Sequence, residues 1–318
     1  MVKKDIKPNS KPNTEQSTEE KQGDGRWTRE CLLYIPALVL LLLAGSRIFE
    51  PARLGHPEWI NDRDVYVYSA LQQPEDTIDL AVLGDSEAMV LLSPEMLEKE
   101  TGISAYITGQ SGQSSSESYY VLRELCKKQH PKVVIFEPDT LVDDSNERRE
   151  LIENFNTAAY HMFPVLRHHG CWKYMTGTET KSTVEHDRGF SVRDDVVPYE
   201  GGEYMLPTEK KAYIPPSSRR YFEKIVSLCE KQQTRLILVS APAPSHFNFE
   251  KHNAIEMLAE EKGLTYMDLN LCYDETGIDF TTDMLDGGDH INLSGTQKVT
   301  KYLAGELLDH LQEAQEEK

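Results

Sequence analysis

Two short segments carry residue types that acyl-ester chemistry requires. The first, Leu83-Gly84-Asp85-Ser86-Glu87, follows an apolar run at 78–82 that is typical of a buried strand. The second, Gly288-Asp289-His290-Ile291-Asn292, lies near the end of the chain. A serine hydroxyl needs a base to take its proton before it attacks a carbonyl carbon, and histidine supplies such a base. We therefore predict that Ser86 is a nucleophile and that His290 is its base.

A histidine base needs a carboxylate that fixes its tautomer and stabilises its cation. Asp286 lies four residues before His290, and Asp289 lies directly before it. Asp286 is the predicted acid and Asp289 the alternative. Negative charge also develops on the carbonyl oxygen, and the backbone amide of Ser86 could point at it.

A second segment with exposed amides is Thr108-Gly109-Gln110-Ser111-Gly112-Gln113-Ser114. It follows a predicted strand and opens a predicted helix, so its free N–H groups could stabilise negative charge. Gly112 would let the backbone approach a bound acyl group closely. A glycine-rich connection with a good helix cap, Ser114 with Glu117, explains the same residues without any function.

The elements that must position these residues alternate along the chain. Apolar runs predict strands, and capping and periodicity signals predict helices between them. Such alternation indicates a parallel sheet covered on both faces, with its active site at the carboxyl ends of the strands. The predicted strands are 78–83, 103–107, 133–136, 235–240 and 264–268, and the predicted helices are 94–101, 115–129, 218–233, 249–262 and, after a Ser294–Gln297 capping box, 294–312.

One rim of this sheet should gather the residues that directly follow the strands, namely Ser86, Gly112, Asp139 and Pro242. Residues 140–215 interrupt the alternation and are rich in tyrosine and histidine. Loops of this length in compact domains tend to be functional or disordered, and the aromatic residues favour an ordered cap over the rim. These rings could stack on sugars, or they could only pack the insertion onto the sheet.

The N-terminal region divides into three parts. Residues 1–30 are polar and are predicted to be a disordered cytoplasmic tail. Residues 31–49 are apolar apart from Arg47, and a helix of 19 residues barely crosses a hydrocarbon layer of about 30 Å. We predict a transmembrane signal anchor here, followed by a linker at 50–76. A cleaved signal peptide and a buried core helix are the alternatives.

Seven Lys and Arg residues precede the apolar segment. By the positive-inside rule the N-terminus should be cytoplasmic, and the domain at 77–318 should lie outside the cell membrane. Membrane lipid is therefore a predicted partner. The net charge of −19 argues against nucleic acid as a partner, because sequence-independent binding relies on basic patches.

Metal and cofactor signals are weak. The five cysteines form no CxxC pair, so a zinc site is not expected. The sequence is compatible with one disulfide among them. His161, His168 and His169 of the insertion match no spacing of a known metal site. We predict that the protein needs no cofactor or metal.

Together these segments resemble the SGNH (GDSL-type) hydrolase superfamily, over about residues 77–140 and 218–312. The family's first motif corresponds to Gly84-Asp85-Ser86, and its last histidine to His290. The resemblance implies a flavodoxin-like three-layer α/β/α fold with a mostly parallel sheet, here preceded by one transmembrane helix. It also implies that Ser86 is the nucleophile and that the amide of Gly112 contributes to the oxyanion hole.

Two departures from the family pattern concern the site. The third family motif, Gly-x-Asn-Asp, supplies an Asn side chain to the oxyanion hole, whereas this chain has Phe136-Glu137-Pro138-Asp139-Thr140. An ionised Asp139 only accepts hydrogen bonds, so it replaces that donor only when protonated. The family's acid stands three residues before its histidine, which here is Gly287. Asp286 would fit that role if the loop has one extra residue.

The sequence thus predicts a membrane-tethered serine ester hydrolase. Within the family, the chain looks most like membrane-anchored bacterial members that act on cell-surface polymers, which implies O-acetylated envelope glycans or lipid-linked acyl esters as substrates. An acyltransferase of the same fold shares the first half-reaction. A catalytically inactive envelope protein that binds a glycan or a partner is the third hypothesis. The two departures from the family's site pattern favour it.

Overall fold

The computed structural model describes residues 19–49, 59–60, 64–142, 147–180 and 187–316. Five parallel strands in these residues form one sheet, in the order β2-β1-β3-β4-β5. This is the flavodoxin-like order, and it agrees with the predicted α/β class with a parallel sheet. The strands are β1 (Leu80–Leu83), β2 (Ala105–Ile107), β3 (Val133–Phe136), β4 (Arg235–Ser240) and β5 (Thr265–Asp268).

Helices cover both faces of the sheet, so the described domain has three layers. The strands are short and nearly all buried, as expected when both faces are covered. The helices are α1 (Glu19–Ile48), α2 (Val65–Gln72), α3 (Pro94–Thr101), α4 (Ser115–Leu125), α5 (Glu147–Met162), α6 (Pro164–His168), α7 (Trp172–Met175), α8 (Pro216–Gln232), α9 (Phe249–Lys262), α10 (Tyr273–Thr276) and α11 (Leu293–Glu316).

Alternate side chains of each strand enter two separate cores. In β1, Ala81 and Leu83 pack with α2, α4, α8 and α9, whereas Leu80 and Val82 pack with α3 and α11. The period-2 alternation of strand side chains therefore places one hydrophobic core on each side of the sheet.

The order of the strands creates a switch point between β1 and β3. From β1 the chain crosses to β2 on one side, and the later strands continue from β3 on the other. Ligands of open α/β sheets bind in the crevice at such a point, outside the carboxyl ends of the strands. Ser86 follows β1 and Asp139 follows β3, so both lie at this crevice.

The final helix begins earlier than the sequence pattern predicts. It starts at Leu293, and the Asn292 side chain accepts a hydrogen bond from the N–H of Gly295 (3.2 Å). Asn is a favoured N-cap because its short side chain reaches the first free N–H groups. The predicted capping box of Ser294 and Gln297 is therefore wrong, since Ser294 already lies inside the helix. Ser114, in contrast, does cap α4 by accepting from Glu117 N–H (3.3 Å).

The segment 50–76, predicted as a linker, contains a helix that belongs to the domain. Helix α2 buries Val67 and Ala70 in the core beside α4. Asp64, just before it, pairs with Arg167 of α6, whose Nε lies 2.8 Å from Asp64 Oδ2. Residues 50–58 and 61–63 lie outside the described residues.

Helix α1 starts at Glu19, so it extends well beyond the predicted segment 31–49 in the N-terminal direction. Its C-terminal end packs against α6, where Ser46 Oγ accepts from the N–H of Val165 (3.2 Å). The leucines between 32 and 41 are mostly exposed. In the described part of the chain, no helix has the length and apolar character that a membrane span requires. Residues 1–18 lie outside the described residues.

Candidate active site

The nucleophile candidate lies in a tight turn at the end of β1. Ser86 O accepts from Met89 N–H (3.2 Å), and Asp85 Oδ1 accepts from Glu87 N–H (3.1 Å). Ser86 is half-buried, and among the described residues its hydroxyl has no hydrogen-bond partner. The Ser86 hydroxyl is therefore available to a substrate.

A glycine allows this turn to fit against the neighbouring strand. Gly84 has φ +143°, and a Cβ there would lie 2.6 Å from Glu137 Cβ and 2.9 Å from Ala88 Cβ. The Glu137 N–H donates to Leu83 O (2.8 Å), which ties the ends of β1 and β3 together. Any larger residue at 84 would push these two strand ends apart.

The base candidate is held by the predicted acid. His290 Nδ1 lies 2.7 Å from Asp286 Oδ2, and Asp286 Oδ1 accepts from the backbone N–H groups of His290 (2.8 Å) and Asp289 (3.2 Å). The alternative acid, Asp289, has Oδ2 at 3.3 Å from His290 Nδ1. Both carboxylates thus face the same ring nitrogen, and that geometry leaves Nε2 of His290 available as a base.

A second histidine joins the turn at β1 to the loop that carries His290. His246 Nδ1 lies 2.7 Å from Asp289 Oδ1, and its Nε2 contacts Glu87 Oε1. Glu87 is the neighbour of Ser86, and Asp289 is the neighbour of His290. The structure therefore brings the two predicted segments, whose Ser86 and His290 are 204 positions apart, to one place in the fold.

Acidic side chains are concentrated beneath this site. Burial raises the pKa of Asp85 to about 6, although the nearby His290 and His246 oppose the shift. Burial also raises the pKa of Glu87 and of Glu137 well above the usual range, and the neighbouring carboxylates add to both effects. Protons rather than counter-charges therefore stabilise part of this cluster at moderately acidic pH.

Asp139 does not replace the missing oxyanion donor. Lys251 Nζ lies 2.7 and 3.0 Å from the two carboxylate oxygens of Asp139, and the ion pair between the two residues is largely buried. The backbone N–H of Asp139 donates to both carboxylate oxygens of Glu137 (3.2 Å each). A paired carboxylate only accepts hydrogen bonds. Backbone amides at the site, such as that of Ser86, remain as candidate donors.

A cavity of about 960 Å³ opens beside the turn. Asp85 and Gly112 lie on one side of it, His246 and Lys251 on another, and α5 forms part of the wall. Gly112 has φ +61°, which favours glycine, and lies within a turn closed by Gln113 N–H to Gln110 O (2.9 Å). The volume lies at the upper end of ordinary small-molecule sites.

No protein-family model matches the chain, and no curated protein matches it. The chain is similar in structure to solved acylhydrolases and esterases. One is a candidate acylhydrolase from Bacteroides fragilis, with 14% identity and a TM-score of 0.41, covering 79% of this chain and 97% of that one.

Two further structures have similar values. The psychrotrophic esterase EstA from Pseudoalteromonas sp., inhibited by monoethylphosphonate, has 12% identity and a TM-score of 0.41, covering 74% of this chain and 100% of its own. A GDSL-like lipase from Bacteroides thetaiotaomicron has 12% identity and a TM-score of 0.39, covering 77% and 98%.

The aromatic residues of the insertion 140–215 have different environments. Tyr160 of α5 lines the cavity. His161 stacks on Tyr120, with ring centroids 4.7 Å apart, and burial lowers its pKa to about 3. Tyr199 and Tyr204 pack edge-on against Phe280. Most of these rings therefore pack the insertion onto the domain, and Tyr160 is placed where a sugar ring could stack.

Three groups of described side chains have potential metal-ligating atoms within 4.8 Å of one another. In the group that contains Asp139, Lys251 already neutralises that carboxylate. The histidines of the insertion belong to none of the three, and the absence of a metal or cofactor requirement stays a prediction. The groups are Glu87, Asp139 and His246; Asp286, Asp289 and His290; and Asp85, Glu87 and Glu137.

Sequence reasoning did not find His246, Glu87 or Lys251. His246 follows β4, in Pro244-Ser245-His246, so the strand-end rule that pointed to Ser86 also applied here. Lys251 lies in the first turn of α9, and no local pattern marks it. Contacts between distant parts of the chain give these residues their place in the site.

Proposed function

We propose that this protein is a serine ester hydrolase of the SGNH type. The observation that carries the proposal is His290, whose Nδ1 is held by Asp286 (2.7 Å) in a loop that contacts the Ser86 turn through His246. A hydroxyl without a hydrogen-bond partner, a histidine with a carboxylate on its far nitrogen and an adjoining cavity are the parts that acyl transfer needs.

The reaction follows from these groups. Ser86 Oγ bonds to the ester carbonyl carbon as its proton passes to His290 Nε2, and the carbonyl π electrons move to the oxygen. The backbone amides of Ser86 and Gly112 stabilise that oxyanion. The bond to the alkoxy group then breaks, and His290 returns its proton to the leaving oxygen. Water repeats the two steps and releases the carboxylic acid, which restores Ser86.

Hydrolysis of p-nitrophenyl acetate by the full chain in detergent tests this mechanism. Ser86→Ala should reduce kcat/KM by roughly 10³-fold or more, because the nucleophile is lost. Ser227→Ala, an exposed serine on α8, is the matched control and should retain full activity. Equal activity of Ser86→Ala and the wild type would exclude the serine mechanism.

An inactive binding protein is the second candidate, and the Asp139–Lys251 pair favours it, because the expected side-chain donor is missing. Loss of one such donor in other hydrolases lowers the rate about 10²–10³-fold. A fluorophosphonate probe separates the two candidates. Labelling of Ser86 supports the enzyme, whereas no labelling together with measurable polysaccharide binding supports the binding protein.

The substrate we propose is an O-acetylated glycan of the cell envelope. The cavity beside Asp85 is much larger than an acetyl group, and Tyr160 offers a ring for sugar stacking. Acetate release from an acetylated polysaccharide, with a simple alkyl acetate as the reference, tests this choice. Transfer to an added sugar, seen as an acetylated product, would identify an acyltransferase instead.

We also propose that α1 attaches the protein to the surface of a membrane through its exposed apolar side chains. The support is the exposure of its leucines, which reaches 74% at Leu33 and 68% at Leu41. Flotation of the full chain with lipid vesicles tests attachment. Leu40→Lys combined with Leu41→Lys should abolish it, whereas Leu206→Lys, at an exposed leucine elsewhere, should not.

A further inference from the structure

We propose that His246 and Asp289 form a second histidine–carboxylate pair, which positions His290 and sets the pH range in which it acts as a base. The inference rests on the proposed ester hydrolase function. His246 is a positioning residue in this scheme, because it acts on His290 through Asp289.

Asp289 is shared between two imidazole rings. Its Oδ1 lies 2.7 Å from His246 Nδ1, and its Oδ2 lies 3.3 Å from His290 Nδ1. The two loops also touch through their backbones, since Ser245 N–H donates to Gly288 O (3.0 Å). A displacement of His246 would therefore move Asp289 in two ways, through the contact between their side chains and through the backbone bond between Ser245 and Gly288.

The other nitrogen of His246 fixes which proton Asp289 receives. His246 Nε2 contacts the buried Glu87, whose pKa is raised by burial and by the neighbouring carboxylates. If Glu87 is neutral, it donates to Nε2 and the ring proton lies on Nδ1. If Glu87 is ionised, a cationic His246 carries protons on both nitrogens. In either case the Nδ1–H of His246 faces the Asp289 carboxylate at ion-pair distance, 2.7 Å from Oδ1.

This contact with His246 weakens the hold of Asp289 on His290. An acceptor that already receives one N–H stabilises a neighbouring imidazolium less, and a cationic His246 would add direct repulsion. Asp286 then remains the principal partner of the His290 cation. Around His290 the charged or titratable groups are Asp85, Asp286 and Asp289. Around His246 they are Asp85, Glu87, Asp139, Asp289 and, through Asp139, Lys251.

Titration of the His290 ring, followed by NMR in the full chain, tests the inference without requiring catalysis. His246→Leu removes the donor and any positive charge, so the midpoint of the His290 titration should rise, by about 1 pH unit. Asp289→Asn removes a negative charge and should lower it by a similar amount. His246→Asn, whose amide can still donate to Asp289, should bring the midpoint back toward the wild-type value.

His130→Asn is the matched control, because His130 is exposed and pairs with Asp76 far from the site. It should leave the His290 midpoint unchanged. In active protein the acid limb of the kcat/KM profile should move with the NMR midpoint in each variant. An unchanged midpoint in His246→Leu, or shifts of the same sign in His246→Leu and Asp289→Asn, would overturn the inference.

The two proposals can fail separately. If Ser86 does not react with a fluorophosphonate but the His290 midpoint moves as expected, the hydrolase function is lost and the second pair stands. If Ser86 reacts and the midpoint does not move, the hydrolase stands and the second pair is lost.

Discussion

At the scale of single residues, the two aspartates beside His290 are not equivalent. Asp286 binds the ring nitrogen with one oxygen and two backbone N–H groups with the other, so it fixes both the ring and the loop. Asp289 divides its carboxylate between two rings. The shorter contact and the backbone bonds make Asp286 the stronger candidate for the acid that orients the base.

Asp286→Asn should therefore lower kcat for ester hydrolysis by roughly 10²–10⁴-fold, because an amide at this position favours the wrong tautomer of the histidine. Asp289→Asn should lower kcat by a clearly smaller factor. Steady-state kinetics on p-nitrophenyl acetate measure both variants. A larger loss for Asp289→Asn than for Asp286→Asn would assign the role of acid to Asp289 instead.

The site residues predicted from sequence were those with local signals. Ser86 follows an apolar strand, and His290 and Asp286 share one loop, so strand position and spacing led to their prediction. Glu87 and His246 acquire a role only by meeting each other, across 159 positions of the chain. The sequence contains no pattern that specifies such a contact, although His246 does occupy the end of a strand.

At the scale of elements, close approach of β1 and β3 creates the turn that carries Ser86. Gly84→Ala should destabilise the protein by about 2–5 kcal/mol, since an unfavourable φ adds to an overlap with the Cβ atoms of Glu137 and Ala88. Gly102→Ala is the control, because Gly102 has φ +75° but open space around its Cα. The Gly102→Ala variant should lower the free energy of unfolding by only about 1 kcal/mol.

Urea unfolding of the two glycine variants measures these costs. If Gly84→Ala is no less stable than Gly102→Ala, the β1 turn tolerates a side chain, and the packing of the two strand ends is looser than described. If Gly84→Ala fails to fold while Gly102→Ala folds, the larger cost at position 84 is supported.

The order and type of the core elements followed from the sequence, but their boundaries and some caps did not. For the final helix, the sequence predicted a capping box of Ser294 and Gln297, whereas the cap lies two residues earlier. The structure uses Asn292, whose side-chain N–H₂ also donates to Thr282 O (2.8 Å). That second bond comes from a distant turn and anchors the start of the helix, which local pattern alone does not show.

At the scale of the whole molecule, the site contains buried acids in a chain that is already strongly acidic, with a net charge of −19. Glu87 and Glu137 are buried, and both have raised pKa values. In the folded protein these carboxyls hold protons more tightly than in the unfolded chain. The free energy of unfolding should therefore fall as pH rises from the ordinary glutamate pKa through the raised values.

Glu137→Gln should remove part of this pH dependence, because a glutamine cannot ionise and still accepts the N–H of Asp139. The variant should match the wild type near pH 4.5 and exceed it in stability at pH 8, by about 1.4 kcal/mol for each unit by which the pKa is raised. In a domain of this size each kcal/mol corresponds to about 2–4 °C in Tm. Thermal unfolding at both pH values measures the effect, with the exposed Glu100→Gln on α3 as the control. A wild-type Tm that rises from pH 5 to pH 8 relative to Glu137→Gln would show that Glu137 is stabilised as an anion, most directly by the Asp139 N–H that donates to both of its oxygens.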